Sequence, residues 1–153
     1  MTDVFRLTIE PYTDDLSGIG AGITGGRWNY PGDRVVYTSS SRALATLEVL
    51  IHTPALFVPK DYYLLTLRIP EDSLLSIPSD QLPTGWNDMD APVALRQFAS
   101  QWITENRYLV LKVPSAVVTG DYNFLLNPAH PRMTEVKIID KQPFRFDNRL
   151  TRP

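Results

Sequence analysis

Six of the eight glycines in this 153-residue chain fall between Gly18 and Gly32. A backbone that rich in glycine bends sharply and lets a ligand approach closely. Directly behind it comes a short apolar run, Arg34-Val35-Val36-Tyr37, and then a serine cluster that opens a helix. On that helix Ala43, Leu44, Leu47, Leu50 and Ile51 recur at three- and four-residue spacing, which predicts an apolar stripe. Glu48 lies four residues after Leu44 and three before Ile51, so its carboxylate borders the buried face. A loop–strand–helix unit that delivers Arg27, Tyr37 and Glu48 together has the makings of an active site.

The glycines do not form a familiar nucleotide loop. Counted from Gly18, Ile23 stands where G-x-G-x-x-G requires its third glycine; Gly20, Gly22 and Gly25 do hold that spacing, but no βαβ unit surrounds the segment. The P-loop pattern G-x-x-x-x-G-K-[ST] is absent as well. A net charge of −2 provides no basic footprint for direct contact with nucleic acid. With no cysteine there are no disulfides, no thiolate catalysis and no cysteine zinc site, which fits a cytoplasmic protein. The acidic, alternating start MTDVFRLTIE is not a signal peptide, and no apolar run has the length of a membrane helix. His52 and His130 lack a metal-ligand spacing such as H-E-x-x-H and read as structural or exposed, so no metal is expected.

Taken in order, residues 4–9 read as a strand with Phe5, Leu7 and Ile9 on one face and Arg6 on the other. On alternation alone Arg6 is a solvated strand residue. After breaks at Pro54 and Pro59, residues 62–69 form a second strand with Tyr63, Leu65, Leu67 and Ile69 on one face. Residues 70–92 read as a long connection. A helix capped by Asp90 follows, with Pro92 in its first turn, Val93, Leu95, Phe98 and Trp102 on one side, and Asn106 as its stop. Strands are expected at 108–113 and 136–139, with an extended segment at 116–118 and a turn at 128–131. Strands and helices are scattered rather than alternating, which favours α+β over α/β in a single domain spanning 1–153.

Arg6, Arg27, Tyr37, Glu48 and Ser115 are the set with chemistry in it. Cleaving the N-glycosidic bond of NAD passes through an oxocarbenium-like ribose. A carboxylate bonded to a ribose hydroxyl gains strength as that charge develops. Arginine forks suit the pyrophosphate, and a tyrosine ring can stack on nicotinamide. Nicotinamide leaves as a neutral amine, so neither a metal nor a strong general acid is required.

The chain resembles the RES domain family, the toxins of toxin–antitoxin pairs whose partner carries an Xre-type DNA-binding domain. The match lies in GGRWNYPGDRVVYTSSSRALATLEVLIH at 25–52, KVPSAVV at 112–118, DYNFLLNPAHP at 121–131 and PFRFDNRL at 143–150, with Arg6 ahead of them. The resemblance implies an α+β single domain with a split mixed sheet, ADP-ribosyltransferase-like, holding NAD as substrate in a cleft. It implies Glu48, Arg27 and Tyr37 as catalytic, Arg6, Arg27, Tyr37 and Ser115 as substrate-binding, and Asn127 and His130 as shaping a turn. ADP-ribose would pass to water or inorganic phosphate, or in some members to a protein. Thr46 stands two residues before Glu48, where protein-modifying transferases often carry a second acid, which tilts the expectation towards water or phosphate. The implied partner is a cognate Xre-type antitoxin that covers the NAD cleft and makes the DNA contacts. The resemblance also allows a homodimer. A non-catalytic nucleotide-binding module is the alternative of a different class.

Overall fold

The computed structural model describes residues 1–52 and 61–152; Pro54 and Pro59 lie outside the described residues. Seven strands form a mixed sheet. They are β1 (Thr2–Ile9), β2 (Val36–Ser39), β3 (Tyr62–Ile69), β4 (Leu74–Ser76), β5 (Val110–Pro114), β6 (Tyr122–Leu126) and β7 (Lys137–Phe144). Their spatial order is β4-β5-β6-β2-β1-β3-β7, and only the β4–β5 pair is parallel.

The sheet is split in the middle. β1 pairs with β3 along its whole length, from Thr2↔Ile69 to Ile9↔Tyr62. Against β2 it pairs at one position alone, Phe5↔Ser39. Two three- to four-stranded halves therefore diverge from a single point of contact, and the parting between them is open to a ligand.

Strand alternation fills both faces. Val36, Leu65, Leu67, Ile69, Val110, Phe124 and Leu126 join one apolar cluster, while Val35, Leu111, Val113 and Leu125 join another. The second cluster is covered by α3 (Val93–Glu105), through Leu95, Ala99 and Trp102. Val93 and Phe98 are exposed, so the buried side of α3 is rotated away from the expected one. Asp90 does not cap this helix. Pro92 occupies the N-cap position in extended conformation with no side-chain cap, a geometry the pyrrolidine ring already favours. Asn106 ends the helix as expected, in left-handed conformation at φ 53° with its N–H donating to the Trp102 carbonyl.

The 70–92 connection is more ordered than its composition indicates. It contributes edge strand β4 and a 3₁₀ turn at Ser79–Gln81. The expected extension at 116–118 is instead a tight bend, because the Ser115 hydroxyl accepts from the N–H groups of Val117 and Val118 (3.0 and 3.1 Å). The final strand runs on through Phe144, and the tail packs Phe146 edge-on against both Phe144 and Tyr62 at 5.2 Å. Among the described residues no helix is long and apolar enough to cross a membrane.

Candidate active site

The glycine-rich stretch is a folded shelf beside the parting, not an open loop. Its first part winds into a short helix, α1 (Ile19–Thr24). Gly18 makes this start available: its φ is 69°, and a β-carbon there would sit 2.8 Å from the Val35 nitrogen. The shelf is organised by Asn29, which is fully buried. Its Nδ2 donates to the carbonyls of Ala21 (2.8 Å), Tyr30 (3.1 Å) and Asp33 (3.0 Å), and its Oδ1 accepts the Tyr37 hydroxyl (2.6 Å). The sequence reading missed Asn29. Its position inside a glycine cluster, where a side chain bonded to several nearby carbonyls is needed to hold the turn, was the available signal. Replacing Asn29 with Ala leaves several buried groups without partners, at a cost of roughly 2–4 kcal/mol. Thermal unfolding should show Tm lowered by on the order of 10 °C; an unchanged Tm would mean that the shelf is held otherwise.

Tyr37 stands on β2 with its hydroxyl clamped, accepting the Trp28 N–H (3.2 Å) while donating to Asn29. Burial pushes its ionisation well above the ordinary tyrosine range. It is therefore a neutral, rigid ring whose remaining surface lines the cleft. Gly26 lies against it, since a β-carbon there would meet the Tyr37 hydroxyl at 2.9 Å.

Arg27 also lines the cleft, but its fork is engaged. Nη1 donates to the Trp86 carbonyl (2.9 Å), and Nη2 to those of Asp88 (2.8 Å) and Met89 (3.3 Å). It ties the 86–89 segment to the rim. Arg6, on β1 beside the parting, is half-buried rather than solvated. Among the described residues it makes no ion pair and no side-chain hydrogen bond. Desolvation lowers its pKa from the ordinary arginine value, with Asp15 opposing weakly through space.

α2 (Arg42–His52) lies across the point where β1 and β2 touch. Its buried residues are Leu44, Ala45 and Thr46; Ala43 and Ile51 are exposed, contrary to the expected stripe. The first turns dock on the sheet, with Arg42 stacked 4.6 Å over the Phe5 ring, while the last turns overhang the cleft. Glu48 stands where docking gives way to overhang. Its Oε1 accepts from the Ser115 hydroxyl (3.1 Å) and from Asn123 Nδ2 (2.8 Å). Ser115 itself is buried beneath the carboxylate rather than on the cavity wall. Asn123 was not singled out in the sequence, although it opens the run Asn123–Asn127.

These residues surround one cavity of about 520 Å³, within the range of roughly 300–1,000 Å³ usual for small-molecule sites. Arg6, Arg27, Tyr37 and Glu48 all line it, as do Ser39, Asn123 and His52 at the helix end. Asn127 and His130 lie elsewhere. Asn127 bonds Asn106 and the Ala129 N–H, and His130 Nδ1 accepts the Arg132 N–H at the start of a 3₁₀ turn.

A divided sheet with a carboxylate and two arginines in the parting defines an α+β ligand-cleft protein. The same architecture is seen in the Mycobacterium tuberculosis MbcT–MbcA toxin–antitoxin complex, where the likeness covers 94% of this chain and 84% of the other at a TM-score of 0.78 and 20% identity. The chain belongs to the RES domain family, which matches residues 3–147. It is 39% identical to the "Prs ADP-ribosylating toxin" of a Sphingobium species, over 99% of this chain and 98% of that one. It is 35% identical to "Toxin Res" of Photorhabdus laumondii, over 97% of each.

Proposed function

We propose that this chain is a toxin enzyme that breaks the nicotinamide–ribose bond of NAD and passes ADP-ribose to water or inorganic phosphate. The observation that carries the reading is the placement of Glu48, fixed by Ser115 and Asn123 at the wall of a cavity that also holds Arg6, unpaired among the described residues. In this reading Glu48 accepts a hydrogen bond from a hydroxyl of the nicotinamide ribose. As the C–N bond breaks, its electron pair goes to the ring nitrogen and neutralises the pyridinium. The carboxylate then opposes the positive charge that grows on the sugar. The Tyr37 ring, immobilised through its hydroxyl, offers a flat surface for nicotinamide. Arg6 meets the pyrophosphate without first having to leave another anion.

Incubating the purified chain with NAD, with and without phosphate, tests this directly. Nicotinamide with free ADP-ribose is the product of hydrolysis, and ADP-ribose-1″-phosphate that appears only with phosphate is the product of phosphorolysis. Intact NAD in both reactions, with a modified protein formed when a target is added, would replace this reading with protein ADP-ribosylation. The name of the Sphingobium relative favours that second reading, and Thr46 in place of an acid before Glu48 weighs against it.

Arg27 is expected to shift from the 86–89 carbonyls towards substrate phosphate. Arg27→Lys keeps the charge but loses the fork, so NAD affinity should fall about tenfold in a direct binding measurement. Unchanged binding would leave Arg27 as a tie for the 86–89 segment alone. Toxicity of this kind calls for restraint. The exposed Ile19 and Ile23 on α1 and Ile51 on α2, beside the cleft, fit an Xre-type antitoxin that covers it in the cytoplasm and carries the DNA contacts.

A further inference from the structure

We infer that Asn123 is a positioning residue for Glu48, saturating one carboxylate oxygen so that the other is presented to the ribose; this rests on the proposed cleavage of NAD. Register places the residue. Asn123 pairs with Ser39 on one side and Val113 on the other, and Ser39 in turn pairs with Phe5 across the parting. Asn123 therefore lies one strand from the Phe5–Ser39 pair that joins the two halves of the sheet, beneath the helix that carries Glu48.

The amide can be oriented in one sense only. A carboxylate accepts and does not donate, so Nδ2 must face Glu48, and the amide oxygen must face Ser39. The distances agree: Nδ2 to Glu48 Oε1 is 2.8 Å, and the Ser39 hydroxyl donates to Asn123 Oδ1 at 2.8 Å. Ser115 approaches the same Oε1 from the other side. Both donors converge on one oxygen, and among the described residues no side chain or backbone group donates to Oε2. Ser39 also anchors the amide from behind, so the chain Ser39–Asn123–Glu48 holds one rotamer of the glutamate against the sheet. Ser115 alone would leave the carboxylate free to swing about a single contact.

The test compares NAD cleavage by wild type, Asn123→Ala, Asn123→Asp and Glu48→Gln, each as the full chain with its thermal unfolding recorded. Asn123→Ala should lower kcat about tenfold or more while changing KM little, since the loss falls on orientation in the transition state. Asn123→Asp provides a signature that a structural role would not. Two carboxylates at hydrogen-bond distance share a proton. At a pH high enough to ionise both, their repulsion should leave the variant severely impaired. As the pH falls and the pair takes up a proton, the protonated aspartate donates again to Oε1, and the ratio of variant to wild-type kcat should rise several-fold. If both Asn123 variants keep wild-type kcat and a flat ratio with pH while Glu48→Gln is inactive, the positioning role is overturned and the NAD reading stands. If Glu48→Gln cleaves NAD as wild type does, or wild type leaves NAD intact, the reading itself fails and the inference fails with it. Should Asn123→Ala not fold, the pH dependence of Asn123→Asp decides the matter alone.

Discussion

Glu48→Gln should abolish NAD cleavage while leaving the fold intact. Glutamine is isosteric, and its amide oxygen still accepts from Ser115 and Asn123, so both supporting hydrogen bonds survive. The lost quantity is the negative charge facing the developing oxocarbenium, and loss of one such electrostatic contact typically lowers kcat by about 10²–10³. Binding of NAD should change far less, because the ground-state ribose carries no positive charge. The expected pattern is therefore a collapse in kcat, a similar KM and an unchanged unfolding temperature. In cells the variant should be expressed without arresting growth. A variant that stays fully toxic, with wild-type protein levels, would mean that Glu48 is not catalytic and that toxicity flows through binding.

The outline of this site was legible because local chemistry controls it. Glycines cluster where a shelf must turn beside a ligand, and Glu48 sits at the edge of an amphipathic helix, both features of short-range spacing. The faces of the helices were less legible. α2 buries Leu44, Ala45 and Thr46 rather than a stripe reaching Ile51, because it docks by its first turns and overhangs an open parting with its last. Periodicity alone assumes a helix covered along its whole length. The 116–118 bend was misread as extended because apolar, β-branched residues favour strands, whereas the Ser115 hydroxyl overrides that preference by drawing in two N–H groups.

Asn123 was illegible for another reason. Asparagine in a polar segment usually forms a turn with its neighbours, and nothing in the sequence distinguishes it from one that reaches across strands. The Asn123–Glu48 contact spans 75 residues and exists only once β6, β2 and α2 have assembled. The same holds for Arg27, whose partners lie about 60 residues on, at Trp86, Asp88 and Met89.

Arg6→Met should separate stability from binding in opposite directions. A half-buried guanidinium with no ion pair among the described residues carries a desolvation cost that Asp15 offsets only in part through space, and its lowered pKa reflects that cost. Methionine fills much of the same volume without the charge, so the unliganded protein should unfold at the same temperature or a few degrees higher. NAD affinity should fall by about ten- to a hundredfold, since one charge-assisted contact to phosphate is worth roughly 1.5–3 kcal/mol. Arg6→Lys should recover part of the affinity but not the bidentate geometry. Calorimetric titration with NAD and thermal unfolding of both variants read the two quantities independently. A stabilised protein that no longer binds NAD is the mark of a residue kept for its ligand. A destabilised variant with intact NAD affinity would show instead that Arg6 supports the strand, and the pyrophosphate would need another cation.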